Sequence, residues 1–466
     1  MKHTFANRGV LVAGLIFLLL LGGSAHGLAE SLFDSPSRFD PIDEPVFDDT
    51  RDAGVETEQE RESLLEALLL KDSRYTLGYE LSLGTEPDPE IITHYAYFRQ
   101  ETRHLFSDGL FFKLDGRLMA LPKGDHRADA KAKNMLLKPR LKELYLQTGF
   151  DKFSITLGQQ IVVWGKADAA IVTDVVSPRD TSDFIFIELE DARFGQPMLA
   201  TDVYTDHGNL FVFISPFPLT DRMPADDTRY DRQLPGMDLF AVKTEDLTCS
   251  DVEYGVRWEA FFEKTDLSLM AGRFFANTAV YDVSPSYDSE AKRILMASYP
   301  SYAMMGMAAT HAKGSFLFTA ESAFKHELAL QGLDPLQGYV MVKKNLFDVS
   351  LGAHYNANDR YQVSVEVSHR YVPGSMKHLA FTDKNSTTGY FTLTKDFLHQ
   401  TLTAEYMLYY HIQQQNAVHQ FRLTRDVTDN FQVIASAGFF HIRDEESVLW
   451  AYKDENRLTM EIKYFF

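Results

Sequence analysis

The chain has 466 residues, a formal net charge of -20 and 45% hydrophobic residues. That acidity argues against a nucleic-acid partner, since phosphate binding needs clustered cations. A single cysteine, Cys249, excludes a disulfide framework or a Cys-based zinc site and reads as an incidental loop thiol.

Residues 1–29 read as a secretory signal peptide. Lys2 and Arg8 give the positive end, Val10 to Leu21 is apolar, and Gly22, Gly23, Ser24 and Ala25 follow, with cleavage after Gly27 or Ala29. The apolar run is shorter than the ~20 residues a spanning helix needs. No cysteine follows to mark a lipoprotein. Residues 30–73 form an acidic N-terminal segment with prolines at 36, 41 and 45, ending in a short helix at 60–71 whose Leu64, Leu65, Leu68 and Leu69 share one face. Beyond residue 30 no stretch approaches transmembrane-helix length. An exported chain that meets a membrane then has to do so as a closed sheet.

From Tyr75 onward, strand-like runs recur. They lie near 75–84, 91–101, 109–119, 140–148, 152–161, 197–206, 208–216, 252–263 and 265–273. They continue near 300–311, 313–325, 337–355, 360–371, 388–395, 399–411, 416–425, 430–442 and 456–466. Lys344-Asn345 looks like a turn, but a break there gives an odd count. We therefore keep 337–355 as one strand that overshoots the membrane and count about eighteen strands, with sixteen as the alternative.

Short connections with turn chemistry, such as Gly149-Phe150-Asp151, Asp206 to Asn209 and Thr428-Asp429-Asn430, separate alternate pairs. The connections 120–139, 162–196, 217–251, 274–299, 372–387 and 443–455 are long. With the C-terminus in the periplasm, every one of these long loops falls on the outer rim. Individual strands carry two faces. Tyr361, Val363, Val365, Val367 and Tyr371 alternate with Gln362, Ser364, Glu366 and Arg370.

The last strand alternates Leu458, Met460, Ile462, Tyr464 and Phe466 with Thr459, Glu461 and Lys463. A terminal Phe466 with Tyr464 two residues before it resembles the signal read by bacterial barrel-assembly machinery, the expected folding partner. These features predict an all-β fold, a transmembrane antiparallel up-and-down β-barrel at 74–466 in the bacterial outer membrane. The helix at 60–71 is then expected to stay in the periplasm, with a partial plug as the other possibility.

Eighteen strands enclose a lumen wide enough for water and solutes unless loops fill it. Loop 162–196 is the most informative stretch. It begins Val163-Trp164-Gly165-Lys166-Ala167-Asp168, passes through Ser177-Pro178-Arg179-Asp180 and closes Asp191-Ala192-Arg193-Phe194-Gly195. Its apolar Ala169 to Val172 is ill suited to bulk water. Folding into the lumen buries it and makes Trp164, Lys166, Asp168, Arg179, Asp180 and Arg193 candidate constriction residues. A structural role, compatible with the first, has Trp164 packing on the barrel wall and Arg179 pairing with Asp180 or Asp191.

Gly158-Gln159-Gln160, then Trp164-Gly165, then Pro178-Arg179-Asp180 resemble a broad family of Gram-negative outer-membrane barrels classed as a domain of unknown function. Its pattern more usually has Asn before Pro-Arg-Asp and Glu after Trp-Gly, where Ser177 and Lys166 stand here. The resemblance implies a porin-like protein or an exit duct for hydrophobic or polymeric cargo, the latter with periplasmic export partners.

The function expected from the residues is passive or selective passage of small solutes. A homo-oligomer and contact with outer-membrane lipid are compatible with such a barrel. No cofactor is implied. The acids of loop 217–251, among them Asp221, Asp226, Asp227, Asp231 and Asp238, lack calcium-loop spacing and read as a solvated mixed-charge loop. A lipid-modifying barrel enzyme is a further alternative, with His354 and Ser368 as candidates on the lipid-facing wall, but no signature singles out a nucleophile.

Overall fold

The computed structural model describes residues 72–85, 89–106, 109–123, 125, 135–183, 189–224, 230–231, 236–357, 361–445 and 447–466. The expected signal peptide and the helix at 60–71 lie outside the described residues. The first strands are β1 (Ser73–Gly84), β2 (Glu90–Leu105), β3 (Leu110–Leu121), β4 (Leu136–Gly149), β5 (Phe153–Gln160), β6 (Gln196–Thr205) and β7 (Gly208–Ser215). Next come β8 (Ala241–Thr244), β9 (Glu253–Phe262), β10 (Thr265–Phe275), β11 (Val280–Tyr287), β12 (Arg293–Ser298), β13 (Ser301–Lys313) and β14 (Phe316–Asp334). The rest are β15 (Gly338–Ala357), β16 (Tyr361–Tyr371), β17 (Asn385–Phe397), β18 (Leu402–His411), β19 (Asn416–Thr428), β20 (Phe431–His441) and β21 (Arg457–Phe465).

All but β8, β11 and β12 form one 18-stranded sheet. Each strand runs antiparallel to its neighbour, and β21 pairs back onto β1 from Thr76↔Phe465 to Gly84↔Arg457, so the sheet has no edge. The eighteen predicted strands are the eighteen observed, with ends shifted by up to nine residues (β14 runs to Asp334, not 325), and sixteen is excluded. The six long connections share one rim, and the opposite rim has turns of two to four residues.

Burial is the inverse of a water-soluble protein's. Leu351, Val365 and Met305 are 58%, 53% and 69% exposed on the outside, whereas Glu321, Glu366, Asp348 and Arg457 are buried inside.

Lys344-Asn345 is not a turn. Lys344 pairs with Leu328 in the middle of the β14–β15 ladder, beside a bulge between Lys325 and Leu328. Glu327 adopts φ 56° there, and its N–H donates to Asn345 Oδ1 at 3.1 Å. The asparagine that looked like a turn residue satisfies the bulge opposite it.

The strands of this hairpin have 19 and 20 residues, well beyond the ~10 that cross a bilayer. Its overhang carries a second sheet, built from connections 217–251 and 274–299 that the sequence predicts as loops, with β12 antiparallel to β11 and parallel to β8. Gln331 of β14 bonds both the N–H and the carbonyl of Tyr281 in β11, and Met237, Leu295 and Tyr339 pack beside it.

Candidate functional site

The connection 161–195 leaves β5 and crosses the lumen instead of standing above the rim. The reason lies in the wall. Between β6 and β14 a large part of the inner wall is apolar, with Met198, Phe211, Phe213, Met270, Phe274 and Met304 facing inward. Such a surface left to water would be costly, and the loop covers it. Trp164 is fully buried between Phe213 and Phe274, at ring distances of 5.9 and 5.5 Å, and Val162 and Val176 join the cluster. A Cβ on Gly165 would lie 2.3 Å from Ile171 Cγ2, so this turn admits only glycine without rearrangement.

Little regular structure satisfies the loop's own amides between 161 and 178, and two wall carboxylates take that role. Glu321 of β14 accepts from the N–H groups of Lys166 and Ala167 with one oxygen, at 2.5 and 2.8 Å. Its other oxygen accepts from Val172 N, Thr173 N and Thr173 Oγ1 at 3.0, 3.2 and 2.8 Å. Glu366 of β16 accepts from Asp168, Ala169 and Ala170 N–H at 2.8, 2.8 and 2.6 Å. Each carboxylate thus replaces its lost hydration with fixed donors.

His354 of β15 lies between two acids, with Nδ1 3.2 Å from Asp168 and Nε2 3.3 Å from Glu366. These three form the one candidate metal-ligand cluster among the described residues. However, the imidazole offers a different nitrogen to each acid and Glu366 is engaged by three amides, a poor fit to one ion.

The Pro178-Arg179-Asp180 turn is clasped from both sides. Phe194 N–H donates to Pro178 O, Asp180 N–H to Ala192 O, and Arg222 N–H to Arg179 O. Ser177, standing where the family pattern has Asn, exchanges two hydrogen bonds with the Val162 backbone at 2.8 and 3.0 Å.

Of the six predicted residues, four only help to dock the loop, and two, Asp180 and Arg193, also face open space. Trp164 is in the apolar cluster, Lys166 pairs with Glu259, and Asp168 pairs with His354. Arg179 pairs with the buried Asp174 at 3.4 Å, not with Asp180 or Asp191 as expected. Arg193 bonds Asp174 as well, at 2.8 Å.

Asp180 and Arg193 also face a cavity of about 150 Å³, partly open to solvent, between the loop's return limb and the wall formed by β1–β4 and β19–β21. Arg457, Thr459, Glu461 and Lys463 of β21 line this space in succession, so it follows the wall for roughly 20 Å at ~3.3 Å per residue. Asp191 stands in it beside Lys142, Arg117 and Arg99 at 3.2, 3.5 and 3.8 Å. Burial pushes the Asp191 carboxyl up, but these three cations outweigh it and hold it well below the usual carboxylate range.

Sequence reading missed Glu321, Arg140 and Arg222. Inward charges on alternating strands are a signal for the first two, while Arg222 sits in a loop with no periodicity to mark it.

A closed 18-stranded barrel with one long-looped rim and a lumen crossed by a Trp-Gly and Pro-Arg-Asp loop is now established. Residues 81–466 match the family described as "Protein of unknown function (DUF1302)". The chain belongs to that family. No curated protein sequence matches it.

Among solved structures, the DUF1302 barrel is similar to OccK8 (OprE) of Pseudomonas aeruginosa at 9% identity and TM-score 0.49, covering 85% of this chain and 98% of that one. OccAB4 of Acinetobacter baumannii aligns at 11% identity and TM-score 0.49, covering 84% and 97%. OmpT of Vibrio cholerae aligns at 10% identity and TM-score 0.40, covering 85% and 97%. These likenesses concern the porin-like outer-membrane fold. His354 and Ser368 of the DUF1302 barrel face the lumen instead of the lipid, on the inward side with Glu366.

Proposed function

We propose that this DUF1302 barrel is a channel of the bacterial outer membrane that passes small hydrophilic solutes, with connection 161–195 setting its bore. The observation that carries the reading is the open, charge-lined space between that connection and one side of the wall. Water and polar solutes are stabilised along such a lining, while the apolar sector that would suit a greasy cargo is already covered by the loop. An exit duct for hydrophobic cargo fits the lining less well for that reason.

Conductance of the purified chain in planar bilayers tests this. Stable ohmic steps are expected, and deletion of residues 166–180 should enlarge them, because the deleted segment occupies lumen space. An electrically silent wild-type protein that is correctly folded would remove the channel reading. An unchanged step size in the folded deletion variant would remove the loop's part in it.

A further inference from the structure

The passage is more basic than the chain that forms it. Among the described residues nine Lys and Arg side chains and five carboxylates line it, and the pairing of Arg193 with Asp174 and of Arg457 with Asp183 leaves two positive charges in excess, although the whole chain carries -20. Two of these cations converge on the loop side. Arg222 lies over the Phe194 ring at 3.8 Å. Its guanidinium and that of Arg140 reach the same Asp180 oxygen, Oδ2, at 3.6 and 3.5 Å. Both distances are longer than the ~2.8 Å of a close charge-assisted hydrogen bond, so one Asp180 oxygen is shared between two guanidiniums, and Arg222 also reaches Leu141 O at 3.5 Å. Arg222, on a loop outside the strands, is pushed down to about 10, by burial first and by Arg140 second.

We propose that the passage is anion-selective, and that Arg140 and Arg222 form a binding station for a small oxyanion, a carboxylate or a phosphate, which approaches the two guanidiniums as Asp180 does. The inference rests on the channel reading above. Guanidinium suits the task because its planar fork matches both oxyanions. Sharing the pair with Asp180 keeps solute binding weak, and a permeating ion must leave as well as enter. Lys142, Arg117 and Arg99 around Asp191 extend the cationic surface along β2–β4.

In planar bilayers under a potassium chloride gradient, the full-length chain should favour chloride over potassium by about threefold or more. Added acetate or phosphate should reduce the chloride current; an effect of one alone identifies the oxyanion. Arg140→Gln combined with Arg222→Gln should bring the permeability ratio to about one and abolish that reduction. Asp180→Asn should raise the ratio, and it decides the matter if the double variant does not fold. A potassium-preferring pore, a chloride current indifferent to both oxyanions, wild-type selectivity in the folded double variant, or a lower ratio in Asp180→Asn would overturn the proposal. Each of these leaves a conducting pore, whereas absence of any conductance removes the channel reading itself.

Discussion

Glu321 and Glu366 show how single residues hold a loop that has almost no regular structure. Both are buried, and together they accept every backbone N–H from Lys166 to Thr173 except that of Ile171. Replacing Glu321 by Gln keeps the shape but removes the charge and points amide hydrogens at amide donors. Charge-assisted bonds contribute about 1.5–3 kcal/mol each, so Glu321→Gln should loosen the loop by at least one such contribution. Open-channel noise and mean conductance should both rise; a quiet channel of wild-type size would argue that apolar packing around Trp164 holds the loop unaided. In the sequence, Glu366 was legible as inward-facing from period-two alternation. Its role as an acceptor for residues 168–170 was not, because no local pattern says which loop reaches which strand.

At the scale of the element, connection 161–195 docks through apolar contact on one side and ion pairs on the other. Burial raises Asp191, but Arg117, Lys142 and Arg99 leave it depressed. For Asp180 burial is again the largest single effect, and Arg140, Ser182 and Arg222 outweigh it to lower its pKa. A carboxylate lowered on docking stabilises the docked state above its ordinary value of about 4 and loses that contribution as pH falls through the lowered value. The contribution of these two carboxylates to loop docking is therefore expected to be constant from neutral pH down to about 4 and to fall away below it. Protease susceptibility of 161–195 in folded protein, measured with an acid-active protease, checks this; cleavage that is flat from pH 5 to 2 would contradict it. The burial of the apolar stretch 169–172 was readable. The identity of Arg179's partner was not, since Asp174, Asp180 and Asp191 are equivalent until the fold separates them. Similarly, β11 was hidden by Pro285 within it, and β8 has only four residues.

For the whole molecule, closure is the decisive event, and Phe466 sits at the seam. Its N–H and carbonyl exchange bonds with Tyr75 at 3.1 and 2.9 Å, and its ring stacks on Tyr75 at 5.6 Å. We expect Phe466→Ala to lower both assembly in cells and the stability of the closed barrel, the latter by about 1–3 kcal/mol through lost ring packing. Heat-modified electrophoretic mobility of detergent-refolded protein isolates the stability effect, and folded yield in membranes reports assembly. A variant that refolds normally but fails in cells would assign the residue to recognition alone. Strand number, alternation, rim asymmetry and the apolar exterior were all determined by the sequence, because each depends on neighbours two residues apart or on the length of a connection. Which half of the lumen stays open was decided only in three dimensions. That outcome depends on an apolar inner sector, two wall glutamates and a cationic wall meeting one loop, and these are brought together by ring closure over hundreds of residues.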